Sequence, residues 1–224
     1  MPSHALTLPQ PQYKCRDMNR IENPTKIRRI CVYCGSGPGT DPAFAAAAGA
    51  FGKILAENGI GLVFGGGMVG VMGELSDAVH AHGGEVTGII PDFLVAREHA
   101  VRGMQGLIVT RDMHERKRKM FDLADAFVAL PGGVGTLEEI VEQMTWAQLG
   151  RHKKPILLAN IKGFWEPLCA LLDHMRALEF IRGDLSFDLL VADRVEDILP
   201  MLQSALEKVP ETAKKMTAAD AERL

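Results

Sequence analysis

Residues 29–70 read RICVYCGSGPGTDPAFAAAAGAFGKILAENGIGLVFGGGMVG. A short apolar run at 29–33 leads into a turn, CGSGPGT, and then into an Ala-rich segment at 42–57 that reads as a helix. Asn58-Gly59 closes it, as Asn and Gly do at helix C-termini. A second apolar run at 61–64 meets a second glycine turn, GGGMVG, which opens another helical stretch ending at Gly83-Gly84. The runs are apolar throughout rather than alternating. That pattern suits parallel strands covered on both faces.

The same alternation continues along the chain. Further strands are expected at 85–90 (stopped by Pro91), 106–110, 126–130, 155–159 and 189–192. Helices are expected at 113–124, 135–149, 165–178 and 195–206. Strand–helix alternation implies right-handed βαβ crossovers. The fold class is therefore α/β: a Rossmann-like, doubly wound, mostly parallel sheet with helices on both faces. In such sheets ligands bind beyond the carboxyl ends of the strands. The glycine clusters CGSGPG, FGGGMVG and LPGGVG all follow strands, so all three fall on that edge. Their common placement points to a phosphate-bearing ligand.

The chain has 224 residues, 47% of them hydrophobic, enough for one sizeable core. A single nucleotide-binding catalytic domain is expected over 27–207, with a loose N-terminal arm at 1–26 and a polar C-terminal tail at 208–224. A net charge of −3 gives no excess of basic charge for nucleic acid or a membrane surface. Four cysteines do not make a disulfide framework. No run approaches a membrane-spanning length, and the N-terminus lacks the pattern of a secretory signal. A cytoplasmic protein is the expectation.

Gly65–Gly70 fits G-x-G-x-x-G after a strand and before a helix. A dinucleotide site also needs an acidic residue at the carboxyl end of the next strand. Glu85 has about the right offset but lies at the strand's start, and Pro91 occupies the proper end. Close helix–strand packing, with backbone amides at a ligand edge, explains these glycines better. Cys31-Val32-Tyr33-Cys34 is a C-x-x-C, yet Cys31 lies inside a strand, where a redox pair does not sit. Both cysteines read as buried and structural. The seven histidines show no metal-ligand spacing, and no bound metal is expected.

Two segments carry chemistry. In MHERKRKM at 113–120, Met113, Arg116, Met120 and Leu123 share one helical stripe, with Lys117 on its border. The stripe faces the sheet, so Arg116 needs an anionic partner, either a carboxylate or a ligand phosphate. Arg118 and Lys119 point elsewhere and read as surface charges. In LPGGVGTLEE at 130–139, unpaired N–H groups from Gly133 to Thr136, with the helix dipole behind them, make an anion site. Thr136-Leu137-Glu138-Glu139 also fits a T-x-x-E capping box, in which Glu139 would bond back to the cap. By spacing alone the cap stands slightly ahead of a catalytic role for Glu139.

MHERK at 113–117, PGGVGTLEE at 131–139 and TWAQLG at 145–150 resemble the LOG ("Lonely guy") family of cytokinin riboside 5′-monophosphate phosphoribohydrolases. CVYCGSGPG, LVFGGGMVGVMG, GGEVTGIIP and HKKPILLANIKGFWEPL match the family in the same order, so the resemblance spans roughly residues 28–200. It implies hydrolysis of the N-glycosidic bond of a nucleoside 5′-monophosphate to free base and ribose 5-phosphate, without a cofactor. The implied catalytic pair is Arg116 and Glu139. Implied substrate contacts are Glu98, Arg116, Lys117, Gly132, Gly133, Val134, Gly135, Thr136, Leu137, Glu138 and Thr145. A homodimer with its site near the subunit interface is also implied. Val134 stands where many plant members have Tyr, and the N-terminal arm is longer than the family's short form. Close alternatives are an AMP or general nucleotide nucleosidase and a non-catalytic nucleotide-binding module. Relatives are often labelled lysine decarboxylases, but no lysine here sits in a Schiff-base context.

Overall fold

The computed structural model describes residues 26–95, 106–181 and 188–209. Glu98, the arm up to residue 25 and the tail from 210 lie outside the described residues. The described chain forms one seven-stranded sheet, parallel at every pairing. Its strands are β1 (Arg29–Tyr33), β2 (Gly61–Phe64), β3 (Val86–Pro91), β4 (Leu107–Thr110), β5 (Ala126–Ala129), β6 (Ile156–Ala159) and β7 (Leu189–Ala192). The helices are α1 (Pro42–Glu57), α2 (Gly70–Ala81), α3 (Asp92–Val95), α4 (Met113–Leu123), α5 (Val134–Gln148), α6 (Glu166–Ala177) and α7 (Val195–Glu207). The strand boundaries depart from the sequence expectation by one residue at most. Pro91 ends β3 from within the strand rather than after it, and the short α3 beyond it has no periodic signal to announce it.

The strand order is β4-β3-β2-β1-β5-β6-β7. The chain builds outward from β1 to the β4 edge. It then returns through α4 to lay β5 on the other side of β1. The reversal makes a crevice beyond the carboxyl ends of β1 and β5, where doubly wound sheets take their ligands. Two cores result, one on each face. Side chains of α1, α2 and α7 pack with Ile30, Val32 and Leu62 on one face. Side chains of α4, α5 and α6 pack with Cys31, Tyr33 and Phe127 on the other.

The C-x-x-C motif is divided between these cores. Cys31 belongs to one and Cys34 to the other, and burial raises both thiol pKa values above the ordinary range. Thiols so protonated are poor nucleophiles, which suits the structural reading. His152, just before β6, is equally buried. Its Nε2 lies 3.2 Å from the Gln143 carbonyl, and its Nδ1 accepts from the Lys154 N–H at 3.1 Å. That pattern holds the neutral ring, and burial, with Lys154 nearby, depresses its pKa to about 3.

Candidate active site

The first turn of the site follows β1. The Gly35 N–H donates to the Pro131 carbonyl at 3.1 Å, so the turns after β1 and β5 touch across the crevice. The contact is close enough to require glycine at 132 and is tight at 35. A Cβ on Gly132 would stand 2.7 Å from the Gly35 nitrogen and 2.8 Å from the Thr136 Cβ. A Cβ on Gly35 would stand 3.3 Å from the Gly132 Cα.

The GGGMVG turn after β2 is explained by protein contacts. Gly66 and Gly70 have φ of 79° and 64°, which glycine adopts without strain. Met72 N–H donates to the Gly35 carbonyl at 3.1 Å, and Val71 N–H to the Gly37 carbonyl at 3.4 Å. The N-terminus of α2 is thus occupied by the turn after β1, leaving no dinucleotide cradle there. The packing half of the sequence reading accounts for the motif, while the Val71 and Met72 amides expected at a ligand edge bond to the turn after β1.

The third turn is open. Gly133 is the N-cap of α5 with an extended backbone, and no side chain caps the helix. The first intrahelical bond runs from the Leu137 N–H to the Gly133 carbonyl. The N–H groups of residues 134–136 therefore have no acceptor within the helix. Gly133, Val134 and Gly135 are exposed, while Thr136 is buried against Gly132. This geometry overturns the capping box. The helix begins before Thr136, which is its third residue rather than its cap, so Glu139 has no cap to close. Gly133 takes the N-cap position with an extended backbone and no side chain to bond the first N–H groups.

Glu139 turns to a different partner, Arg116. Arg116, in the first turn of α4, places Nη1 3.1 Å from the Glu139 Oε1, with both side chains 10% exposed. Its Nε donates to the Ile89 carbonyl at 3.1 Å, in the carboxyl half of β3. The sequence left Arg116 a choice between carboxylate and phosphate, and the structure pairs it with the carboxylate. A buried pair of this kind holds because each charge satisfies the other; removing one strands its partner. Tyr33, the last residue of β1, lies in the core on this face, and burial, with Cys31 and Glu139 close by, raises its pKa.

The neighbouring residues repeat the pairing further out. Lys117 Nζ donates to Glu138 at 2.6 Å and to Glu142 at 3.0 Å. Partial burial works against the Lys117 charge, but the bonds to these carboxylates outweigh it and raise the pKa. Two consecutive cations on α4 thus serve two consecutive carboxylates on α5, and Glu138 and Glu139 have separate partners. Arg118 is exposed and Lys119 pairs with Glu115 at 3.8 Å, as surface charges do.

Thr145 is not brought to this cluster. Its hydroxyl bonds back to the Val141 carbonyl at 2.9 Å, and the residue is exposed. It shares an outward face of α5 with Val134, Leu137 and Val141, of which Val134 is 83% exposed. Sequence reasoning missed two groups that the site uses: the Ile89 carbonyl and Gly65. Neither has a local signal, because each meets Arg116 only through the sheet order.

Comparison with known proteins agrees with the fold and the motifs. The model of a family described as "Possible lysine decarboxylase" matches residues 72–202. The cytokinin riboside 5′-monophosphate phosphoribohydrolase LOG of Oryza sativa subsp. japonica is 45% identical over 190 residues, covering 85% of this chain and 77% of that protein. LOG7 of Arabidopsis thaliana, with the same activity in its name, is 39% identical over 203 residues, covering 91% of this chain and 94% of that one. Among solved structures, the molybdenum cofactor binding protein of Rippkaea orientalis superimposes with a TM-score of 0.60. It is 24% identical and covers 80% of this chain and 97% of its own, a likeness of fold alone. With the sequence relatives matched over most of their length, the chain belongs to the LOG family of cytokinin riboside 5′-monophosphate phosphoribohydrolases.

Proposed function

We propose that the protein hydrolyses the N-glycosidic bond of a cytokinin nucleoside 5′-monophosphate, releasing the free base and ribose 5-phosphate. The observation that carries this reading is the buried Arg116–Glu139 pair beside the open N-terminus of α5. The N–H groups at the start of α5 and the helix dipole suit the 5′-phosphate. Breaking the C1′–N bond builds positive charge on the ribose, in an oxocarbenium-like state. Glu139 stabilises that charge and activates the attacking water. Arg116 holds the carboxylate in place. Lys117, Glu138 and the 132–137 turn line the approach, and Glu98 is assigned to the substrate from the resemblance.

The decarboxylase description does not suit the lysines of this site. A Schiff-base lysine must present a neutral amine. Lys117 is held as an ammonium between two carboxylates. Lys154 donates to the Phe121 carbonyl at 2.6 Å and lies just before β6, at the opposite edge of the sheet.

A product assay tests the reading. With isopentenyladenosine monophosphate the expected products are isopentenyladenine and ribose 5-phosphate in equal amounts. Faster turnover of AMP would replace it with a general nucleotide nucleosidase. Tight binding without products would leave a nucleotide-binding module.

The reading extends to a homodimer. Val134, Leu137, Val141 and Thr145 make an exposed, largely apolar face on α5, and Thr145 is one of the assigned substrate contacts. Covering that face with a second copy would bring Thr145 into a site shared between subunits. Sedimentation should give about twice the 24.4 kDa chain mass; a monomer at assay concentration would sink this part.

A further inference from the structure

We infer that Gly65 is a positioning residue for the reaction: its missing side chain is the space in which the Arg116 guanidinium lies. The inference rests on the assignment of Arg116 and Glu139 as the reacting pair. A Cβ built on Gly65 would stand 2.5 Å from Arg116 Nη2 and 3.7 Å from its Cζ. The next neighbour, Met72 Sδ at 3.3 Å, is a flexible thioether that yields easily. Gly65 does not have the positive φ of Gly66, so its backbone accepts alanine. Glycine is therefore needed here for space.

The guanidinium is held on its other sides. Its Nε bonds to the Ile89 carbonyl and its Nη1 to Glu139. β2 supplies the open side, β3 the acceptor and α5 the carboxylate. An added methyl at 65 pushes on Nη2, and the guanidinium must leave one or both partners. The far end of a long side chain moves at small expense to the fold. The displaced group is the one that orients Glu139, so the damage falls on turnover.

The test compares wild type, Gly65→Ala, Arg116→Lys and the double variant, assayed with isopentenyladenosine monophosphate. Gly65→Ala is expected to stay folded, to lose tenfold or more in kcat and to change KM by less than about threefold. Lysine has no Nη2 to displace. Adding Gly65→Ala to Arg116→Lys should therefore change kcat less than twofold. The same cycle read in urea midpoints does not depend on residual turnover: Gly65→Ala lowers the midpoint beside Arg116 and leaves it unchanged in the Arg116→Lys background. Wild-type kcat in Gly65→Ala would overturn the inference, as would equal losses in both backgrounds. Wild-type kcat in Arg116→Lys would overturn the assignment of the pair itself, while the midpoint cycle still reports whether Gly65 makes room for Arg116.

Discussion

Glu139→Gln is expected to lower kcat by about a thousandfold while the protein remains folded, because it removes charge and little else. Glutamine has nearly the same shape, and its carbonyl oxygen can still accept from Arg116 Nη1. The Arg116 Nε keeps its bond to the Ile89 carbonyl, but the buried guanidinium loses its counter-charge. A stability loss of about 3–5 kcal/mol is expected for the lost carboxylate partner. What glutamine cannot do is oppose the positive charge that grows on the ribose, or take a proton from water. Because α5 is capped by Gly133, no helix cap is lost, and the variant separates chemistry from folding. Steady-state turnover and a urea curve check both halves. A folded Glu139→Gln protein hydrolysing near the wild-type rate would remove Glu139 from the mechanism.

Gly132→Ala should act on the phosphate side with an effect nearly as large. The new Cβ meets the Gly35 nitrogen at 2.7 Å and the Thr136 Cβ at 2.8 Å. Gly35 is backbone, and Thr136 is buried inside α5, so neither can swing away as a long side chain does. The turns after β1 and β5 must part, breaking the Gly35–Pro131 hydrogen bond that joins them. Overpacking of this kind costs about 1–3 kcal/mol. The N–H groups opening α5 shift with the turn, and KM for the nucleotide should rise about tenfold or more, read from saturation curves. An unchanged KM with an unchanged unfolding midpoint would contradict the contact geometry.

The strands were legible because each is a short, mainly apolar run, most of them next to a turn residue such as Gly, Pro or Asp, a composition that suits strands covered on both faces. The crevice edge followed from the same runs, since parallel strands put every following turn on one side. The strand order was not legible in that way: it depends on which faces of four or five runs fit together. Arg116 illustrates the divide. Its place on the buried stripe of α4 was visible from helical phase, and so was its need for an anion. Its partner was not, because Glu139 approaches it from a helix beyond another strand. The capping box failed for a local reason. Ser, Thr, Asp and Asn usually cap helices, but Gly133 serves as well in an extended conformation. The T-x-x-E spacing therefore arose inside the helix, where Thr136 packs on Gly132 and Glu139 turns to Arg116. Thr145 was carried from the resemblance alone, and within one chain it stands apart from the pair.

The double pairing between α4 and α5 works as a keyed joint. Successive helical residues project about 100° apart. Glu139 therefore reaches the inner cation only when Glu138 faces the outer one, and the same holds for Arg116 and Lys117 in reverse. Rotating either helix by one residue would break both matches together. The two helices have one angular setting that satisfies all four charges, so the alignment of the inner pair is fixed before any ligand arrives.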